Sequence, residues 1–187
     1  MGAVEREIEA STTVRSPLAW ARRVLADDPG SVLTDECSDE DRAARRFRST
    51  LALDTAGAAA SVRQDVIIDV GLPSSADGDD PSESEAHPLV VPVSWRAAGF
   101  ERLFPTFDGA LVLEDADGVP TLTVRGHYVV PLGPMGRFGD GLLGRRIARR
   151  SLASFLESVA QRLDAAVDRA MSAPPGDSRY PIALHEH

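Results

Sequence analysis

The residues of this chain best suited to chemistry are Trp95, Arg125, His127 and Tyr128. An imidazole titrates near neutral pH, so His127 is the candidate for a general acid or base. In an extended segment successive side chains alternate, which puts Arg125 and His127 on one face and Tyr128 on the other. Two arrangements follow. If Leu122, Val124 and Tyr128 face inward, Tyr128 and Trp95 line a cavity while Arg125 and His127 stand in solvent. A bulge at Gly126 would reverse the face and bring His127 into the pocket. The first is expected, since strand histidines are mostly surface or hydrogen-bonded structural residues.

The other chemical signals are weaker. Gly139-Asp140-Gly141-Leu142-Leu143-Gly144 spells G-x-G-x-x-G after a strand and ahead of a helix. A dinucleotide site also needs a parallel strand after that helix, with an acid at its end. Only a tail follows, so the run reads as a glycine-rich lead-in, with Asp140 near the helix N-terminus. Arg145, Arg146, Arg149 and Arg150 make a basic patch that fits a solvated face better than a phosphate site. His185 and His187 would need outside help to hold a metal. Cys37 has acidic neighbours, which raise a thiol pKa, and no nearby His to activate it. No catalytic residue, metal site or cofactor is assigned.

Composition narrows the classes. The chain has 187 residues, room for one domain with a good core, and a net charge of -9. Seven acids crowd Asp27–Asp41 and five crowd Asp77–Glu85; the remaining 17 face 20 arginines. The rest of the chain is therefore near neutral, which argues against a nucleic-acid partner. A single cysteine makes no internal disulfide. No apolar run approaches the ~20 residues of a membrane span. Glu5, Glu7 and Glu9 do not suit a signal peptide, so the expected compartment is the cytoplasm.

These residues need elements to position them. Between Leu142 and Met171, apolar residues recur at Leu152, Phe155, Leu156, Val159, Ala160, Leu163, Ala166, Val167 and Ala170. That period predicts a long helix with one buried face. Arg149, Arg150, Glu157, Gln161, Arg162, Asp164, Asp168 and Arg169 are expected on its wet side. Val4–Thr12 alternates as a first strand, with Glu5, Glu7 and Glu9 outward and Val4, Ile8 and Ala10 inward. Ser16-Pro17 then suggests an N-cap for a short helix through Trp20, Val24 and Leu25. Ala26 to Asp41 reads as a loop with at most one helical turn.

Strands are expected at Arg46–Leu53 and Ala60–Val70, around Leu89–Ala97, through Phe107 and Leu113, and at Thr121–Val130. Residues 72–87 form an acidic loop expected to be mobile, and 172–187 a loosely attached tail. Residues 1–171 are taken as a single domain. The order predicts an α+β fold, a curved antiparallel sheet of about six strands wrapped around a long C-terminal helix.

The Val4–Thr12 strand with Ser16-Pro17, Val93-Ser94-Trp95-Arg96, Leu103-Phe104-Pro105, Gly126-His127-Tyr128 with Pro131-Leu132-Gly133, and the terminal helix together carry a resemblance. The chain resembles the START-like helix-grip superfamily, whose bacterial members are called SRPBCC or polyketide cyclase/dehydrase-like proteins. From Trp95 onward it is similar to actinobacterial members in particular. The resemblance implies a cavity between sheet and helix for an apolar or amphipathic small molecule, lipid-like or polyketide-like. Its expected lining is Trp95, Phe104, Phe107, Leu111, Tyr128, Phe155 and Val159. Alternatives are a cyclase or dehydratase using a pocket acid/base, and an interaction module whose cavity its own side chains fill. Binding is preferred, because an enzyme needs at least two inward polar groups and only His127 offers itself. An apolar small molecule is the expected partner, without nucleic acid or integral membrane association, and with a homodimer as a further option.

Overall fold

Period-two alternation and one long amphipathic stripe account for most of the architecture. The computed structural model describes residues 4–53, 62–75, 87–99, 106–130 and 141–172. Along them run β1 (Val4–Thr13), α1 (Leu18–Asp27), α2 (Gly30–Leu33), α3 (Asp39–Ala44), β2 (Arg46–Leu53) and β3 (Val62–Val70). β4 (Ser74–Ser75), β5 (Leu89–Ala97), β6 (Thr106–Ala116), β7 (Val119–Val130) and α4 (Gly141–Ser172) follow. All pairings are antiparallel, in the order β1-β7-β6-β5-β3-β2, with β4 added on β5. No described helix is long and apolar enough to cross a membrane. The tail and most of the acidic loop lie outside the described residues. Ser74 and Ser75, read from sequence as loop, pair with Val90 and Leu89.

The β6–β7 hairpin shows how local chemistry sets register. Asp117 and Gly118 both take positive φ, 56° and 84°, as a two-residue turn between right-twisted strands requires. Register then places Leu113 opposite Leu122, and Leu111 opposite Val124. Leu89 and Val91 continue these rows on β5. All six are buried, and with Val66, Ile68 and Phe47 they form the face that receives α4.

In α4, Leu152, Phe155, Leu156, Val159, Ala160, Leu163, Ala166 and Val167 are buried, as their spacing predicts. Arg149, Arg150, Glu157, Gln161, Asp168 and Arg169 are exposed. Two residues depart from the expected wet side. Arg162 is half-buried, donating to the Leu33 carbonyl at 3.5 Å and to Asp35 Oδ2 at 2.8 Å. Asp164 is only 6% exposed. Its carboxylate accepts from the Arg15 and Ser16 backbone N–H groups at 3.1 and 2.9 Å, from Ser16 Oγ at 2.7 Å, and from Arg15 Nε at 3.0 Å.

The same bonds correct the reading of Ser16 as a helix cap. Pro17 occupies the N-cap of α1, and no side chain caps that end. A carboxylate is the stronger acceptor for the Ser16 hydroxyl than any local backbone group is a partner. Ala26 to Asp41 is likewise more than a loop. It contains α2, whose Val32 and Leu33 are buried, and the start of α3. Ser38 and Asp41 close a capping box there, each side chain bonded to the other's backbone N–H. On α1, Arg22 is fully buried and donates from Nη1 to the His87 carbonyl.

Two outcomes are expected from this packing. Leu156→Ala or Leu163→Ala should cost about 2–5 kcal/mol in denaturant melts, whereas Glu157→Ala should stay within about 0.5 kcal/mol. For Asp164, burial pushes the carboxyl upward, but the bonds from Ser16 and Arg15 outweigh it and hold the group below its ordinary range. A carboxyl depressed by folding contributes stability above its unfolded value, about 3.9, and loses it as pH falls through the folded one. The melting-temperature gap between wild type and Asp164→Asn should therefore be widest near neutrality and close in acid. A gap that ignores pH would show that the charge of Asp164 is not what holds the corner.

Candidate functional site

One cross-strand row gathers aromatic side chains at the end of the sheet where β5 and β7 finish and β6 begins. It runs Arg6, Tyr128, Phe107, Trp95, Ile68, Phe47 over six strands. Trp95 and Phe107 stack with centroids 3.9 Å apart and planes at 12°. Phe155 reaches in from α4, tilted at 54° with its centroid 5.4 Å from Trp95. Phe107, Tyr128 and Phe155 are buried, while Trp95 stays half-exposed. Such ring pairs add about 0.5–1.5 kcal/mol beyond their buried area.

Two glycines make room for the stack. Gly109 and Gly126 face each other on β6 and β7. A Cβ on Gly126 would stand 2.6 Å from the Gly109 Cα and 2.8 Å from the Phe107 ring. The ring therefore lies over the glycine pair, and Trp95 lies on the ring. The register of β7 is unbroken against both β1 and β6, so no bulge occurs at Gly126 and Tyr128 points inward.

Of the seven expected lining residues, Trp95, Phe107, Tyr128 and Phe155 come together here. Leu111 and Val159 have no accessible surface and back the cluster as core. Phe104 lies outside the described residues. Arg6 was missed, although the alternation that turns Ile8 inward carries it too: it is half-buried between exposed Glu5 and Glu7.

Arg125 and His127 are on the outer face, as expected. His127 Nε2 lies 3.6 Å from Glu7 Oε1. Farther along its row Asp69 accepts from Arg46 Nε at 2.5 Å and from Arg96 Nη1 at 3.0 Å. A groove of about 250 Å³ is lined by Asp69, Arg96, Asp108 and His127 of this face and also reaches Trp95 and Phe107 of the aromatic row. Cys37 packs against the core beside Gly30; burial raises its thiol pKa more than the Arg42 guanidinium lowers it, which disfavours a nucleophile. Among the described residues no group of three or more His, Cys, Asp or Glu could hold a metal. Gly139 and Asp140 of the glycine-rich run, His185, His187 and the side chains of Arg145 and Arg146 lie outside the description. Arg149 and Arg150 are solvated.

Gly126→Ala tests the glycine pair. The added methyl meets backbone across the strand rather than a yielding side chain, so a cost of roughly 1–3 kcal/mol is expected, as in overpacked cores. Trp95 emission should shift as Phe107 is displaced. A variant as stable as wild type with unchanged emission would show that the ring does not rest there.

No protein-family model matches the sequence, and no curated protein matches it. Solved structures do. TTHA0849 from Thermus thermophilus is 15% identical with a TM-score of 0.48, over 86% of this chain and 99% of that one. Ara h 8.0201 is 12% identical at 0.45, over 89% and 99%. The Zhui aromatase/cyclase from Streptomyces sp. R1128 is 17% identical at 0.42, over 91% and 98%. By its own sheet order, its short helices between β1 and β2 and its terminal helix, this chain has the helix-grip fold, α+β.

Proposed function

We propose that the chain binds an apolar or amphipathic small molecule, lipid-like or polyketide-like, between the sheet and α4. The observation that carries this is the half-exposed Trp95, stacked on Phe107 and met by Phe155 from the helix. An aromatic ring left partly in contact with water beside buried rings is where an apolar guest gains by burial. Ligand sites are commonly apolar walls with a few polar groups at one end, and Tyr128 and Arg6 complete the row in that manner. The cyclase or dehydratase alternative draws no support from His127, which stands on the opposite face from this row.

N-phenyl-1-naphthylamine, a neutral apolar fluorophore, tests the reading. Binding should quench Trp emission and raise the melting temperature; at a hundredfold excess over Kd the gain is about 2.7 kcal/mol. Trp20→Phe should keep the quenching and Trp95→Phe should remove most of it. If this probe and a broad apolar library give neither a spectral nor a thermal shift, the cavity is filled by its own side chains and the binding reading is lost.

A further inference from the structure

The geometry points to a ligand with an anionic head, a carboxylate or a similar oxyanion, received by Arg6 and Tyr128 at the rim of the aromatic cluster. This deepens the binding reading above and rests on it. Arg6 and Tyr128 are directly paired across β1 and β7, on the face that holds α4. Tyr128 is paired in turn with Phe107, and Phe107 with Trp95, so cation, phenol and aromatic stack stand side by side.

An arginine on the inner face of a sheet is unusual, because a charge taken out of water costs several kcal/mol unless it is compensated. The remaining inward residues of β1 are uncharged, Ile8, Ala10 and Thr12. Arg6 is engaged within the protein, yet a guanidinium carries five N–H donors in a fork that matches a carboxylate. Tyr128 supplies the second donor. It is 7% exposed, has no hydrogen-bond partner among the described residues, and its oxygen is not sealed in the core. An open phenol oxygen is met by water in the free protein, and a ligand head would take that water's place. Glu5 and Glu7, the acids flanking Arg6 on β1, alternate to the outer face, Glu7 toward His127.

The test is displacement of N-phenyl-1-naphthylamine by dodecanoate or dodecanol, two chains differing only in the head, at about pH 8, where the acid is ionised. Dodecanoate should displace the probe at about tenfold lower concentration, the effect of one charge-assisted hydrogen bond. Arg6→Gln should bring the two curves together while moving the alcohol's by less than about twofold, and Tyr128→Phe should remove a smaller part of the preference. Arg6→Lys, which keeps the charge without the fork, should retain some of it and stands in if Arg6→Gln does not fold. Equal affinities in the wild type, or a preference that survives Arg6→Gln, overturns the anion assignment while the probe still binds. A probe that never binds overturns the cavity reading, and this assignment with it.

Discussion

The grip depends on one carboxylate. A helix of 32 residues, about 48 Å long, can slide or roll on a sheet of aliphatic side chains, because dispersion and hydrophobic burial are not directional. Asp164 supplies the direction. It holds the backbone and side chains of Arg15 and Ser16, where the chain leaves β1 for α1. Two N–H groups that no strand satisfies thereby gain an acceptor, and the first strand is fixed to the last helix. Most buried carboxylates are a liability; this one takes four donors, which is the condition for a net gain.

With the helix fixed at that end, the other end of the sheet can differ in character. Rows of Leu and Val, sealed to zero exposure, give way to the row of Tyr128, Phe107 and Trp95. The change is made by subtraction. Gly109 and Gly126 remove two side chains from the layer beneath, and Phe107 lies down into the space. Phe107 is thus supported from below, and Trp95, stacked on it, is the one ring of the three that keeps part of its surface exposed.

Much of this was legible in the sequence, and the failures share a cause. Strands announced themselves because Leu122, Val124 and Tyr128 alternate with Thr123, Arg125 and His127, and α4 because its apolar spacing holds from Leu152 to Val167. Asp164 and Arg6 were not placed, because a binary pattern treats a charge as outward. Asp164 borders Ala160, Leu163 and Val167 on the helix surface, and its inward position is possible only because donors arrive from 148 residues away in sequence. No local rule contains that. α3 was different: Ser38 and Asp41 spell its capping box, but so acidic a segment suggested a loop. Which strand residues face inward was legible from their alternation, whereas which of them are sealed, as Leu111 is and Trp95 is not, is decided by packing against α4.

The two faces of β7 show why conspicuous residue types mislead. His127 and Arg125 attract attention as chemistry, yet their neighbours account for an outer-face residue such as His127. Glu7 sits beside His127 and, one hairpin farther on, Asp69 bridges Arg46 and Arg96. Exposed cross-strand pairs of this kind contribute about 0.2–1 kcal/mol each, enough to explain charged residues on a solvated sheet without invoking a reaction. Arg6 stands on the other face, where that explanation does not reach. Its row holds three aromatic rings, and the face around it is apolar. Arg6 is engaged within the protein, and because a guanidinium has five N–H donors, the proposed anionic head needs only those that this engagement leaves over.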